Sequence, residues 1–495
     1  MSFLTTLPWL VRANRINALS RSSLDRILEV QARRWRELIR YAAARSPFYR
    51  DLYRGLDLRR CRLEDLPTVE KAQAMARFDD WVTDPAVSLR NVEDFISDPA
   101  RFGQLYCGKY IVLHTSGSQG QPVVLLQTRA CLDLLFQIQT TRGNVGGQTG
   151  IREAVRKFLN PARIAIVTMK DGFYPTAATF AFFPPELNGF AKTLRLAYSD
   201  PHLVERLNEF GPTNLTAYAT VLLQLADAKL AGRLRLPQLR QVVNNSELLT
   251  DAARERLQDA FGVPVMNNYA AGECMHLSTG CSTDPGVHVN ADWSILEVVD
   301  AAGRPVPPGE RGSRILVTNL INRAQPIIRY VIHDAVTWAT TPCRCGNQMP
   351  RLARIDGRGN DTLWMRDQSG TWHRLEPMVL KAALHYCTDV LDWRVEQQSP
   401  NQFRITVVPV PGLTVDEARR RLVLDRQFRS YQVEALARVG RGAGPPHARD
   451  PATGKVRRVV CTTGPDRSSV PPLPNAAPER TLETSTAPVL AAATE

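Results

Sequence analysis

The stretch LRQVVNNSELLTDAARERLQDAFGVPVMNNYAAGE, residues 239–273, decides the fold class. Two short apolar runs, QVVNN and PVMNNY, are typical of strands, and the segment between them, TDAARERLQDAF, has helical spacing of its apolar residues. A strand, a helix and a second strand in this order favour parallel strands in a layered α/β domain.

The same alternation extends over residues 109–268. RIAIVTM and NLTAYAT are strand-like, whereas PHLVERLNEF and VLLQLADAKLAG are helical in pattern. Residues 287–338 then contain the strand-like runs SILEVVD, RILVTNL and IIRYVI with no helical pattern between them. We therefore expect a large layered α/β domain that carries a mainly β subdomain.

Three flanking regions complete the predicted organisation. Apolar residues recur at helical spacing from Leu24 to Ala42, and Pro47 is expected to end this helix at Ser46. Beyond the segment RIDGRGND, a smaller α+β unit is expected up to residue 461, and the Pro- and Ser-rich tail from Pro465 is expected to be disordered. The predicted boundaries are 1–356, 357–463 and 464–495.

Composition narrows the class of protein. The 495-residue chain is 44% hydrophobic and has no apolar run of about eighteen residues, so no membrane span is expected. Its net charge of +13 comes from basic residues interspersed with acidic ones, which suits small anions better than nucleic acid. The N-terminus lacks the pattern of a secretory signal, and nine irregularly spaced cysteines suit a reducing compartment, so we expect a cytoplasmic protein.

A small-residue loop, HTSGSQGQP at residues 114–122, separates the apolar runs YIVLHT and VVLLQT. Glycine, serine and proline are common in hairpin turns, but the N–H and hydroxyl groups of such a loop can also hold a phosphate. The loop is not a Walker A motif, because Gly120 is followed by Gln121 and Pro122 instead of lysine and a hydroxyl residue. The sequence leaves both interpretations open.

Four charged residues downstream favour the phosphate interpretation. Glu273 follows a predicted strand, where α/β sheets bind ligands and where a carboxylate suits Mg²⁺. Asp334 lies in the apolar run IIRYVIHDAV and needs a partner, either Arg329 or the hydroxyls of a ribose. Arg358 and Lys455 lie in glycine-containing segments, DGRGND and DPATGKVRRVV, and offer cations for phosphate or carboxylate groups. For Glu273 and Lys455, a plain surface location is the alternative.

This ordered set resembles the adenylate-forming superfamily of acyl-CoA synthetases, and within it the phenylacetate–CoA ligase and coenzyme F390 synthetase group. The resemblance covers roughly residues 42–460, and its most specific segment is CRCGNQMPRLARIDGRGND. It implies the adenylate-forming fold with a small mobile α+β C-terminal domain. It further implies that ATP activates a small carboxylic acid as an acyl-adenylate, which is then transferred to coenzyme A.

The resemblance also assigns roles to matching residues. The phosphate-binding residues would be Thr115, Ser116, Gly117, Ser118 and Gly120. Adenine and ribose would contact Ser246, Glu247, Tyr269, Asp334 and Arg358. Glu273 would bind Mg²⁺, Asn360 would be the hinge of the C-terminal domain, and Lys455 would move in for adenylation. The acyl pocket is expected to involve Tyr218, Asn244, Ala271 and His276.

Four positions depart from the group's usual residues, and they keep other functions open. Gln121 replaces a lysine, Ala270 a glycine, His333 a glycine and Asn360 an aspartate. One alternative is adenylation followed by transfer to an amine or to a carrier-protein thiol. Another is a degenerate homologue that binds nucleotide or a partner protein without turnover. The oligomeric state stays open, with a homodimer as one candidate.

A structural zinc site is a further expectation. Cys281 and His288, in a Cys-x6-His spacing, and the downstream Cys343 and Cys345 are ligand types that suit four-coordinate zinc. The resemblance supports this, because some members of the group carry a small structural zinc site. His276 is a reserve ligand. The alternative is that these cysteines are buried free thiols.

Overall fold

The computed structural model describes residues 3–115, 123–142, 160–168, 172–198, 200–247, 249, 251–358, 363–366, 372–375, 390–399, 402–409, 434–437 and 459–461. The described α-helices are Phe3–Leu19, Leu24–Arg45, Pro47–Leu52, Lys71–Ala76, Phe78–Trp81, Leu89–Ser97, Arg129–Thr141, Pro175–Ala181, Leu203–Phe210, Ala219–Leu230 and Asp251–Phe261. Short 3₁₀ helices span Leu63–Asp65, Pro99–Arg101 and Pro185–Leu187. No helix in the described part of the chain is both long and apolar enough to traverse a bilayer.

The strands are numbered in chain order. The first ten are β1 Tyr110–His114, β2 Val124–Thr128, β3 Ala162–Thr168, β4 Ala191–Ala197, β5 Asn214–Ala217, β6 Gln241–Asn245, β7 Val265–Asn268, β8 Ser278–Gly280, β9 Val287–Val289 and β10 Ser294–Val299. The others are β11 Arg314–Asn319, β12 Ile327–Ile332, β13 Asp334–Trp338, β14 Arg351–Arg358, β15 Leu363–Arg366, β16 Trp372–Leu375, β17 Val390–Ser399, β18 Gln402–Pro409, β19 Glu434–Ala437 and β20 Val459–Cys461.

The predicted parallel sheet is confirmed. Its described strands lie in the order β4-β3-β5-β6-β7, and every neighbouring pair is parallel. Crossover helices such as Ala219–Leu230 and Asp251–Phe261 bury their apolar residues against the sheet, as in a layered α/β domain. All carboxyl ends of these strands therefore lie at one edge.

The predicted β subdomain is also confirmed. Strands β10-β11-β12 form one antiparallel sheet, and β13-β14-β9-β8 form a second one. The chain passes from the first sheet to the second at His333, between the end of β12 and the start of β13. Because a corner residue is held by both sheets, this topology fixes the segment 332–334 in place.

The N-terminal helix Leu24–Arg45 was predicted from its apolar spacing and is present. The Ser23 hydroxyl accepts from the Arg26 N–H at 3.4 Å, and the helix ends at Ser46, before Pro47. Its buried face consists of Ile27, Val30, Trp35, Leu38, Ile39 and Ala42. Leu24 and Leu28 fit the same spacing but are 43% and 41% exposed, so the spacing alone does not decide which residues are buried.

Two of the strands predicted for the C-terminal region are present. DWRVEQQ lies within β17, and FRITVVPV lies within β18 except for its last residue, which follows that strand. They form a sheet in the order β19-β18-β17-β20. The two helices expected there, like the tail from Pro465, lie outside the described residues. Strand β14 runs through Arg358, two residues past the predicted domain boundary at residue 356, and the boundary itself stays a prediction.

Candidate active site

A cavity of ≈ 280 Å³ lies at the carboxyl ends of β6 and β7. Ligands of open α/β sheets bind at this edge, because the loops that follow the strands converge there. Its wall includes five residues to which the sequence assigned roles: Thr115, Ser246, Ala271, Glu273 and Asp334. Residues separated by more than two hundred positions are thus brought to one cavity.

Thr115 closes the base of the small-residue loop. Its N–H donates to the Val123 carbonyl at 3.0 Å, and the Val123 N–H donates to the Thr115 hydroxyl at 3.1 Å. Strands β1 and β2 pair antiparallel directly below, so the loop connects a hairpin. Ser116, Gly117, Ser118, Gly120 and Gln121 lie outside the described residues, and their phosphate role stays a prediction.

Gly272 places the segment that carries Glu273 directly against this hairpin. A Cβ atom at Gly272 would lie 3.0 Å from Leu125 Cδ1 and 3.2 Å from Thr115 Cγ2. Both distances are tighter than ordinary van der Waals contact. Glycine therefore allows a close approach here, and it keeps Glu273 next to the base of the loop.

Glu273 is a buried carboxylate on the cavity wall, 8% exposed. Its backbone carbonyl accepts from the Asn319 side chain at 2.9 Å, which fixes the segment against β11. Burial, followed by the charge of Glu273, raises the pKa of Tyr330 far above its ordinary value. Tyr330 therefore stays protonated beside the carboxylate, and its ring stacks on Trp81 with centroids 6.2 Å apart.

Asp334 is held by a tyrosine. The Tyr269 hydroxyl donates to Asp334 Oδ2 at 2.7 Å, and Asp334 itself lines the cavity. The Tyr269 ring is 9% exposed and packs among apolar side chains of the β subdomain, including Leu277 and Val289. Tyr269 thus orients Asp334, while its predicted stacking on adenine stays a prediction.

Arg329 is not the partner of Asp334, so that interpretation is wrong. The Arg329 guanidinium donates to both carboxylate oxygens of Glu297, at 2.9 and 3.1 Å. It also donates to the Glu64 carbonyl at 3.0 Å. Arg329 has a structural role in the described chain.

The turn after β6 presents Ser246 at the cavity. Ser246 has a φ of 65°, and its hydroxyl lies 3.4 Å from that of Thr176. The buried Asn244 amide donates to the Glu247 carbonyl and to Asn267 Oδ1, both at 2.7 Å. Asn244 therefore holds the turn in place and, contrary to its predicted location in the acyl pocket, is not on the cavity wall.

Two further residues expected in the acyl pocket lie away from the cavity. Tyr218 precedes the helix Ala219–Leu230 and packs against the apolar core of the parallel sheet. His276 is buried, and its Nε2 lies 3.1 Å from the Trp293 carbonyl. Burial lowers the pKa of His276 to about 4, so it is neutral at pH 7. It is also absent from the cysteine cluster described below, which gives no support to its role as a reserve ligand.

His333 and Ala270, two of the unusual positions, both line the cavity. His333 lies at the corner between the two β sheets, with Nε2 3.8 Å from Glu70 Oε2. These two departures from the residues usual in the group therefore change the wall of the cavity itself. Asn360 and Lys455 lie outside the described residues, as does the side chain of Arg358.

Several residues of the cavity were assigned no role from the sequence. They are Lys71, Gln139, Thr176, Thr179, Met275 and Tyr330. Lys71 precedes all of the motifs by tens of positions, and Thr176 and Thr179 lie on the short helix Pro175–Ala181. Tyr330, which follows Arg329 in the RYVIHD motif, and Met275, which lies between Ala271 and His276, could have been found from the sequence.

The four predicted zinc ligands form a cluster. One donor atom from each of Cys281, His288, Cys343 and Cys345 lies within 4.8 Å of all the others. The Sγ atoms of Cys281 and Cys343 are 3.5 Å apart, and Cys345 Sγ is 3.4 Å from His288 Nε2. In tetrahedral zinc sites with Zn–S bonds of about 2.3 Å, ligand atoms are roughly 3.8 Å apart. The donor set therefore fits zinc.

Neighbouring groups favour the forms of His288 and Cys281 that bind a metal. His288 Nδ1 lies 3.1 Å from the Met349 carbonyl, a contact that favours a proton on Nδ1 and leaves Nε2 free to bind a metal. Burial disfavours the Cys281 thiolate, but the contact with His288 and hydrogen bonds from backbone N–H groups outweigh it. They lower the pKa of Cys281 to about 6. A thiolate is the form that binds zinc.

Comparison with known proteins identifies a matching family model and several relatives. The family model "AMP-binding enzyme" matches residues 109–319. The phenylacetate-coenzyme A ligase of Thermus thermophilus is 25% identical over 356 residues, covering 69% of this chain and 72% of that protein. The protein CapK of Staphylococcus aureus is 27% identical over 169 residues, covering 34% of this chain but only 36% of CapK.

The fold is similar to that of a solved ligase. A crystal structure of 2-hydroxyisobutyryl-CoA ligase, in complex with its acyl-adenylate, superposes with a TM-score of 0.60 and 21% identity. The alignment covers 90% of this chain and 92% of the ligase. The chain therefore shares the fold of this ligase, and its residues 109–319 match the AMP-binding enzyme family.

Proposed function

We propose that the protein activates a carboxylic acid with ATP, through an acyl-adenylate, and transfers the acyl group to coenzyme A. The proposal rests on one observation: the same cavity is lined by Thr115, Ser246, Glu273 and Asp334. These residues come from separate segments that each match a motif of the superfamily. The name of the Thermus thermophilus relative supports coenzyme A as the acceptor.

The adenylation step needs negative charge to be neutralised as the carboxylate attacks the α-phosphorus and pyrophosphate leaves. The loop above Thr115 would hold the phosphates, and Asp334, oriented by Tyr269, would accept hydrogen bonds from the ribose. Mg²⁺, held by Glu273, would offset phosphate charge. Lys455 would then approach the carboxylate and α-phosphate and stabilise the transition state.

The second step requires the thiol to reach the acyl-adenylate. We infer that the C-terminal unit rotates about Asn360, which withdraws Lys455 and admits the pantetheine thiol. Such hinge motions are carried by a few residues between rigid units. The thiol attacks the acyl carbon, and AMP leaves as the thioester forms.

The cavity wall indicates the general nature of the acid. Leu135, Phe180 and Met275 are apolar, while Gln139 and Thr179 add polar atoms. The Thr179 hydroxyl already donates to the Pro175 carbonyl at 2.7 Å. The Gln139 amide is therefore the better candidate to form a hydrogen bond with a polar substituent of the acid. We propose a largely apolar acid of small or medium size that carries a hydrogen-bonding group.

Product analysis tests the acceptor. The purified protein is incubated with Mg-ATP, an activated acid and one acceptor at a time: coenzyme A, an amine or a carrier-protein thiol. We expect AMP together with an acyl-CoA, identified by mass spectrometry. Formation of an amide or of an acylated carrier protein, with no acyl-CoA, would assign the transfer step to the alternative acceptor while leaving adenylation in place.

We also propose that Cys281, His288, Cys343 and Cys345 hold a structural zinc ion. The expected zinc content is one equivalent per chain by elemental analysis of protein purified without chelator. Cys345→Ser should lower both the zinc content and the melting temperature, because the metal stabilises the folded state that binds it. Cys107→Ser is the matched control, since Cys107 is an exposed thiol outside the cluster. Wild-type protein without zinc, or equal melting of both variants, would refute the site.

A further inference from the structure

A second, larger cavity of ≈ 590 Å³ lies on the other side of the helix Arg129–Thr141. Asp133, Leu134 and Gln137 of this helix line it, whereas Leu135 and Gln139 line the candidate active site. Its remaining wall comes from the helices Phe3–Leu19 and Leu24–Arg45 and from the segment around Trp293. No residue belongs to both cavities, so this one is a separate space.

The second cavity is rich in arginine. Arg12, Arg15, Arg34 and Arg129 line it, together with Asp133 and Asp292. Both carboxylates already have cationic partners. Asp133 accepts from Arg129 at 3.1 Å.

The charge of Asp292 is neutralised by the buried Arg142. The two terminal nitrogens of Arg142 donate to its two carboxylate oxygens, each at 2.9 Å, in a bidentate pair that is almost fully buried. Arg142 is therefore not available to a ligand. Asp292 Oδ2 also lies 3.9 Å from Arg34 Nη1, so its single charge is shared between two arginines. The cavity keeps a net positive charge.

Arg34 is fixed within this wall. Its guanidinium carbon lies 3.3 Å from the centroid of the Trp293 ring, and its Nη1 donates to the Asp292 carbonyl. Burial is the main cause that lowers the pKa of Arg34, to about 10, so it still carries its charge at pH 7. A planar cation held in one position is suited to binding an anion.

Two further features of the wall favour a ligand that accepts hydrogen bonds. Gln137 is 2% exposed, and its Nε2 has no hydrogen-bond partner among the described residues. Buried amides normally have partners. In addition, Arg129 and Ala130 form the first turn of their helix, and Thr128 provides no side-chain cap, so the positive end of the helix dipole lies at the cavity.

The rest of the wall is apolar. Ile16, Leu19, Leu134 and Ile321 also line the cavity. An inorganic ion would leave this apolar surface uncovered. A ligand that matches both parts carries an anionic group and an apolar body.

We propose that this cavity is a binding site for a small organic anion that carries at least two negative charges on an apolar body. Phosphate monoesters and dicarboxylates share this chemistry. Arg12, Arg15 and Arg34 bind the anionic group, the Gln137 amide donates to it, and the aliphatic residues cover the body. The site does not depend on the activity proposed for the first cavity.

Isothermal titration calorimetry of the full chain tests the site with three probes: phenyl phosphate, phthalate and inorganic phosphate. We expect one of the two organic anions to bind more tightly than inorganic phosphate, and the tighter one identifies the anionic group. Arg15→Ala should weaken its binding about tenfold, the effect of losing one charge-assisted hydrogen bond. Gln137→Leu should also weaken it.

Matched variants keep the result interpretable. Arg15 and Arg12 are exposed, so their replacement does not threaten folding, and Arg33→Ala removes an exposed arginine that does not line the cavity. Arg33→Ala should leave the affinity unchanged. The proposal is overturned if no organic anion binds the wild type, if inorganic phosphate binds as tightly, or if Arg15→Ala and Arg33→Ala behave alike. Binding that is lost in Glu273→Gln but kept in Arg15→Ala would place the anion in the first cavity and also overturn it.

Discussion

Glu273→Gln is expected to slow acid-dependent ATP–pyrophosphate exchange by about 10²–10³-fold, the usual effect of removing one group that stabilises the transition state electrostatically. The Glu273 carboxylate is buried on the wall of the candidate active site, beside the base of the small-residue loop. Glutamine keeps the size of the side chain but removes its charge. The variant therefore loses the ligand that we assign to Mg²⁺, while the packing around Gly272 and Tyr330 is preserved.

A Mg²⁺ titration separates this role from a loss of structure. If Glu273 binds the metal, the variant should need a higher Mg²⁺ concentration for half-maximal exchange, with an unchanged melting temperature. Glu255→Gln is the matched control, because Glu255 is exposed on the helix Asp251–Phe261 and does not line the cavity. Normal exchange by a folded Glu273→Gln protein would remove Glu273 from the site.

Lys455→Ala should have the second large effect, confined to one half-reaction. We expect it to reduce adenylation by about 10²–10³-fold, because a lysine that moves to the developing charge contributes electrostatic stabilisation that water cannot replace. The same variant should convert a supplied acyl-adenylate and coenzyme A to the thioester at close to the wild-type rate. This difference follows from the proposed rotation, which withdraws Lys455 before the thiol attacks.

Exchange and thioester formation are measured separately in the same preparation. Lys192→Ala is the control, since Lys192 is exposed on β4 and does not line the candidate active site. Equal loss of both half-reactions would indicate a structural defect or a shared role. Wild-type exchange in Lys455→Ala would show that another group stabilises the adenylation step.

The parallel sheet could be predicted from the sequence because its strands and helices alternate with clear periodicity. QVVNN and PVMNNY became the neighbouring strands β6 and β7, and the helix between them is Asp251–Phe261. Because the carboxyl ends of such strands share an edge, the sequence also predicted that the segments after them would form a site. Ser246 and Glu273 both line the same cavity, and their binding roles stay predictions.

Side-chain partners were less predictable, because they depend on packing between distant segments. Asp334 was expected to pair with Arg329 or with ribose, yet its carboxylate accepts from Tyr269, sixty-five positions away in sequence. Arg329 instead reaches Glu297 from a backbone with a φ of 46°. Neither the bulge in β12 that accompanies this conformation nor the partner follows from local sequence.

The cavity residues without motifs show the same limit. Thr176 and Thr179 reach the cavity only because the helix Pro175–Ala181 packs next to β1 and the loop after β6. Nothing in PTAATFA distinguishes it from an ordinary short helix. Conversely, the candidate zinc ligands were predictable by residue type, but only the pairing of β9 with β8 and β14 brings His288 close to Cys281 and Cys345.

Acid-dependent ATP–pyrophosphate exchange by the wild-type protein tests the central claim most directly. The panel should contain aromatic and aliphatic carboxylic acids with and without a polar substituent, each with Mg-ATP and labelled pyrophosphate. We predict that at least one acid will produce exchange and that no exchange will occur without an acid. Measurable ATP binding with no exchange for any acid would contradict the account and favour a nucleotide-binding homologue without turnover.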